Sequence, residues 1–167
     1  MGTPMRKIEL KNKIDRGSQS GLTLLELLII VAIIGTLMMI AIPTYINTLE
    51  KAYIKRACAD ILHLSQKLTN HLYDHGSLPE QLDSIPAVDL IDPWGNPYRY
   101  LIILGKKKNE IKGKWRKDRF LVPINADFDL YSMGKDGKTT APLTAKASHD
   151  DIIRANNGRY VGLASKY

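Results

Sequence analysis

The longest run of uninterrupted apolar character lies near the start of the chain, where residues 22–42 read LTLLELLIIVAIIGTLMMIAI with Glu26 as their sole charge. As a helix this stretch spans about 31 Å, matching a bilayer hydrocarbon core of about 30 Å. It predicts a membrane-crossing helix. Beyond Pro43 the pattern changes: Ile46, Leu49, Tyr53, Ala57, Ile61, Leu64, Leu68 and Leu72 recur every three or four residues, the stripe of a one-sided amphipathic helix. His75-Gly76 supplies the stop, with Gly76 suited to a left-handed C-cap. One helix of about 80 Å therefore runs from Leu22 to His75, and Pro43, lacking an N–H, bends it.

After that helix the pattern shortens. Residues 77–97 are rich in Pro, Asp and Gly and predict loops, with one short helix near 79–84. Residues 98–104 (YRYLIIL), 120–124 (FLVPI) and 128–133 (FDLYSM) carry strand signals, the second demoted towards an edge by Pro123. Residues 134–167 lack clear periodicity until 150–154 and are read as a long C-terminal loop, with Asn156-Asn157-Gly158 as a turn. The expected fold class is α+β, a long kinked N-terminal helix packed on a small antiparallel sheet.

At 167 residues the chain suits one domain plus an anchor. The net charge of +7 is concentrated in two patches. Residues 1–20 hold five basic residues against Glu9 and Asp15, net +3, and residues 105–119 hold eight against Glu110 and Asp118, net +6, leaving −2 elsewhere. The first patch precedes the apolar run, so by the positive-inside rule the N-terminus is cytoplasmic and the C-terminal part lies across the membrane. A secretory signal has a shorter apolar region followed by small residues at its cleavage site. Here the small step, Ser20-Gly21, comes first, so cleavage there keeps the anchor.

Cys58 is the only cysteine, which excludes an intrachain disulfide, and its register marks it as a small buried hydrophobe. The four histidines show no zinc-ligand motif; His71 and His75, at i and i+4, suit either a shared metal or a hydrated helix end. No Ser-His-Asp, paired-acid or phosphate-loop constellation appears, which points away from an enzyme. The basic run contains Lys106, Lys107, Lys108, Trp115, Arg116 and Arg119, a mix that grips phosphate or single-stranded nucleic acid when exposed, but such a run is more often a solvated loop or a contact for an acidic neighbour. A carboxylate within a membrane span costs on the order of 2–3 kcal/mol, so Glu26 is expected to have a purpose.

Gly21-Leu-Thr-Leu-Leu-Glu26, the apolar run with Gly35, and Pro43 together resemble the N-terminal signature of type IV pilins and pseudopilins. Asp92-Pro-Trp-Gly-Asn-Pro-Tyr, Ser132-Met-Gly-Lys-Asp136-Gly and Asp150-Asp151-Ile152 are similar to the head of the major pseudopilin of type II secretion. The resemblance implies a pilin fold with a cleaved leader at 1–21, a transmembrane helix at 22–42, an amphipathic helix at 43–76 and a periplasmic head at 77–167, anchored in the inner membrane by one pass. It implies cleavage by a prepilin peptidase after Gly21 and N-methylation of Leu22, which stands where the family usually has phenylalanine. It implies self-association into a helical filament, with Glu26 docking on the free amine of a neighbouring copy, Gly35 and Pro43 allowing local loosening, and an inner-membrane assembly platform and minor pseudopilins as partners. A type IV or competence pilin whose basic loop binds DNA or a surface is the alternative on the same scaffold.

In that family Ca²⁺ ties the C-terminal loop, and Asp136 and Asp151, then Ser132 and Asp150, match its ligand positions. Calcium asks for six to eight oxygens. Two departures from the pattern stand out: residues 104–119 are an insertion, and Thr139-Thr140-Ala141-Pro142 replaces a glycine pair. Helix capping or Asx-turns are the other reading of these aspartates.

Overall fold

The computed structural model describes residues 21–85 and 90–167, and the chain divides into two units on either side of the Pro43–Thr44 bond. Helix α1, Leu24–His75, begins in the first and ends in the second. The expected leader lies outside the described residues save for Gly21. In the first unit every described residue is exposed, Leu24 at 83% and Met39 at 77%. Among the described residues α1 alone is long and apolar enough to cross a membrane. It stays helical through Gly35 and Pro43, so the loosening expected there does not interrupt it. Pro43 removes one N–H from the ladder, and the flanking turns still hold.

In the second unit the stripe does what its spacing predicts. Ala57, Ile61, Leu64 and Leu68 are fully buried, with Ile54, Cys58 and Leu72 packed beside them; Ile46 and Leu49, nearer the first unit, stay exposed. Burial pushes the Cys58 thiol up, as expected of a small core hydrophobe. The helix stops at Gly76, whose φ of 72° suits a residue without Cβ and whose N–H reaches the Leu72 carbonyl at 2.9 Å. The expected short helix is a single 3₁₀ turn, Leu82–Ser84.

Four strands follow: β1 Arg99–Ile102, β2 Phe128–Ser132, β3 Ile152–Ala155 and β4 Tyr160–Leu163. They pair antiparallel in chain order, with Tyr100 opposite Leu130, Tyr131 opposite Ile153 and Arg154 opposite Val161. Alternation divides their side chains between two faces. Phe128, Leu130 and Ile152 pack against the α1 stripe, with Tyr98. Ile153 and Ala155 point the other way, under Ile124, Leu143 and Ala164. A third small cluster joins Ile103, Ile111 and Trp115, where helix α2, Lys108–Ile111, folds the basic run back.

Two expectations are corrected. The expected C-terminal loop runs only as far as residue 151, broken by one 3₁₀ turn at Lys146–Ser148; beyond it the chain carries β3 and β4, half the sheet, joined through Asn156, Asn157 and Gly158, all at positive φ. The Asn157 side chain accepts from the Ala126 N–H at 2.7 Å and its own N–H donates to Asn125 Oδ1 at 2.9 Å, so the turn is fastened to the loop before β2. Residues 120–124 form no strand either: Val122–Pro123 is a cis peptide, Phe120 is 99% exposed, and only the isolated bridge between Asp118 and Leu121 remains.

Candidate functional site

Two places carry the candidate chemistry, and each is described within its own unit. In the first, Thr23 sits immediately before α1 and Glu26 three residues on. Thr23 Oγ1 accepts from the Glu26 N–H at 3.2 Å and Glu26 Oε2 accepts from the Thr23 N–H at 3.5 Å, a reciprocal capping box. Glu26 therefore closes its own helix, with its carboxylate beside the positive end of the helix dipole. Gly21 and Leu22 lie exposed just before the cap, and a Cβ at Gly21 or Gly35 would meet nothing within 4 Å. The capping signal, Thr-x-x-Glu, is legible in the sequence but was overshadowed by the cost of a membrane carboxylate.

The second place is the junction between β2 and β3. The Asp92 side chain organises its own turn, Oδ1 accepting from the N–H groups of Trp94 (3.1 Å) and Asn96 (2.7 Å). Its Oδ2 accepts from Ser132 Oγ, which in turn accepts from the Gly134 N–H at 3.0 Å. Asn96 closes the clasp by donating to the Gly134 carbonyl at 2.9 Å. At Gly134 a Cβ would lie 2.3 Å from the Asp150 carbonyl oxygen, so only glycine lets the two segments meet. Asp150 Oδ2 accepts from the Asp136 N–H at 3.0 Å, and Asp136 Oδ1 from the Lys138 N–H at 2.8 Å, an Asx-turn.

Asp151 goes elsewhere. Fully buried, it receives the Arg116 guanidinium and the Thr139 hydroxyl (2.6 Å) on Oδ2. Arg116 is 2% exposed, lies 4.5 Å over the Tyr131 ring, and donates from Nη1 to Thr139 Oγ1 (2.5 Å) and the Thr140 carbonyl (2.6 Å). Its backbone N–H donates to Asp129 Oδ2 at 2.6 Å. Asp151 Oδ1 and Arg116 Nε have no protein partner. Burial is the largest influence on the Asp151 carboxyl and pushes it up to about 6, with the Thr139 hydrogen bond and the Arg116 charge opposing. Burial likewise raises Asp129, against hydrogen bonds from Arg116 and Asn125.

Comparison with known proteins fits this arrangement. A family model described as the prokaryotic N-terminal methylation motif matches residues 16–42. The type II secretion system core protein G of Pseudomonas aeruginosa is 28% identical over 145 residues, covering 74% of this chain and 89% of that protein. That of Xanthomonas campestris is 26% identical over 149 residues, covering 80% and 91%. The Escherichia coli K12 protein of the same name is 30% identical over 129 residues, covering 72% of this chain and 84% of its own length. The chain belongs to the core protein G family, the major pseudopilins of type II secretion. No solved structure gives a significant match.

For this pseudopilin the calcium expectation meets a chemical obstacle. Of the four positions, Ser132 is engaged with Asp92, Asp136 and Asp150 accept backbone N–H groups, and Asp151 holds Arg116. Among the described residues no three His, Cys, Asp or Glu side chains gather to hold a metal. Asp151 Oδ1 is the one buried side-chain oxygen among the described residues that has no hydrogen-bond partner. A divalent ion bound there shares its carboxylate with the Arg116 guanidinium and meets like-charge repulsion from it. The residues present do not fit calcium at Asp151.

The basic run is corrected as well. Lys106, Lys107, Lys108 and Arg119 are exposed, but Trp115 is a core residue and Arg116 is buried in its ion pair, so the aromatic needed to stack a base is withdrawn. His71 and His75 stack at 4.2 Å, and each Nδ1 lies on a backbone carbonyl, Ser77 and His71 respectively. The Arg116–Asp151 pair itself escaped the sequence reading. Its only signal is that the two departures from the family pattern, the 104–119 insertion and Thr139-Thr140-Ala141-Pro142, supply the arginine and two of its three acceptors.

Proposed function

We propose that this pseudopilin is a single-pass inner-membrane subunit that polymerises through its N-terminal helix into the pseudopilus of a type II secretion system and so drives protein export. One observation carries the reading: the capped start of α1 is an apolar stretch, exposed at every residue from Leu24 to Ile42, with a single carboxylate in its first turn. Exposed apolar surface on that scale is untenable in water. Lipid covers it before assembly, and the helices of neighbouring copies cover it afterwards, so burial of the same face holds the polymer together.

Prepilin peptidase cuts after Gly21 on this reading, leaving the amine of Leu22 four residues ahead of Glu26, and that amine is N-methylated. Each incoming copy presents its amine to Glu26 of another, an opposite-charge contact in a low-dielectric setting that sets axial register. The basic leader keeps the N-terminus cytoplasmic, the head is periplasmic, and an inner-membrane assembly platform and minor pseudopilins receive the subunit. Mass spectrometry of the chain isolated from membranes tests the first step: the mature protein begins at methylated Leu22. A mature chain that begins at Met1 defeats the proposal.

A further inference from the structure

We infer that Arg116 is a built-in cation that locks the C-terminal part of the head, so that this pseudopilin holds its β3–β4 hairpin without a bound metal ion. The donor set around the guanidinium is that of a hard cation: a carboxylate oxygen from Asp151, a hydroxyl from Thr139 and a carbonyl from Thr140. These oxygens come from two segments, the loop at 139–140 and the start of β3. The Arg116 backbone adds β2 through Asp129, and stacking on Tyr131 adds that strand again. One side chain thus crosslinks the segments that a bound ion would otherwise have to join.

Its position is built rather than incidental. On one side, Trp115 is anchored among Ile103 and Ile111. On the other, the Lys117 N–H donates to the Ala141 carbonyl at 3.1 Å and its carbonyl accepts from the Leu143 N–H at 2.9 Å, so residues 116–117 run alongside 140–143. The Ile124 N–H donates to the Arg116 carbonyl at 3.1 Å. The backbone therefore delivers the guanidinium to Asp151 with little freedom left. Charge follows the same logic: the Arg116 guanidinium already neutralises Asp151, so a divalent ion added beside the pair brings unmatched positive charge next to a buried cation. Arginine suits such a fork of planar contacts, and lysine does not.

The test uses the full-length chain in detergent. Its melting temperature, followed by circular dichroism, is measured in excess EDTA and in millimolar CaCl₂, and calcium binding by titration calorimetry. The inference expects superimposable melts and no calcium heat. A melt that falls on chelation and recovers with calcium overturns it, whatever the variants do. Arg116→Met strands the Asp151 charge and is expected to lower the melting temperature by roughly 10 °C and to expose the 135–150 segment to protease. Arg116→Met with Asp151→Leu removes both charges and is expected to recover most of that loss. A single variant as stable as the parent, or a double variant no better than the single, also overturns the inference.

Discussion

Glu26 has two roles that a conservative substitution separates. Within its own chain it closes the capping box with Thr23 over hydrogen bonds of 3.2 and 3.5 Å at an exposed helix end, geometry worth about 1 kcal/mol or less. Between copies, the proposed contact with a neighbour's Leu22 amine joins opposite charges: at about 4 Å and an effective dielectric of about 20 it contributes about 4 kcal/mol. Glu26→Gln retains both capping hydrogen bonds, because glutamine serves at this position of a capping box, and removes only the charge. The variant is expected to keep the parental helix content in detergent while the association constant for adding a subunit falls about a thousandfold, at 1.4 kcal/mol per factor of ten. Thr23→Ala does the reverse, losing the cap for about 1 kcal/mol and keeping the charge, and it is expected to assemble. Circular dichroism of the solubilised chain reports the first quantity, and the yield of sheared filaments seen by electron microscopy reports the second. Filaments from Glu26→Gln in parental amounts refute the charge contact. Loss of filaments from Thr23→Ala equal to that from Glu26→Gln shows that capping, not charge, is what assembly needs.

Leu64→Ala empties a fully buried position between α1 and the sheet and is expected to lower the melting temperature of the head by roughly 10 °C, read by differential scanning calorimetry; an unchanged transition refutes the packing described. Alkaline pH tests the tyrosines of the same interface. Tyr98 is buried and donates to Asp60 Oδ2 at 3.0 Å; burial first, then the Asp60 charge, holds its hydroxyl well above the ordinary tyrosine value, and burial does the same for Tyr100. A native pKa above the unfolded one means that this contribution is complete below about pH 10 and is lost as pH rises towards the native values. Urea denaturation between neutral and strongly alkaline pH is expected to show stability falling above about pH 10, less steeply in Tyr98→Phe. Parallel profiles for the two proteins contradict it.

What one segment can say about itself was legible in the sequence. The α1 stripe that buries Ala57, Ile61, Leu64 and Leu68 shows a period because it buries one face, the stop at Gly76 shows a residue of special backbone freedom, and the membrane-length run and strands β1 and β2 show themselves by local apolar and β-branched or aromatic composition. Strand β3 shows itself only as the return of periodicity at 150–154: Ile152, Ile153, Arg154 and Ala155 are all buried, so no alternation of exposed and buried positions marks them as a strand. The basic run was misread for a related reason. Trp115 and Arg116 sit among lysines that are solvated, and nothing local distinguishes a guanidinium in water from one in the core. That was decided by Asp151, thirty-five residues away along the chain. A period records the burial of one face, which a segment carries in its own residues, whereas a buried charge is tolerable only when tertiary structure brings its partner, and the partner's position is set by the fold.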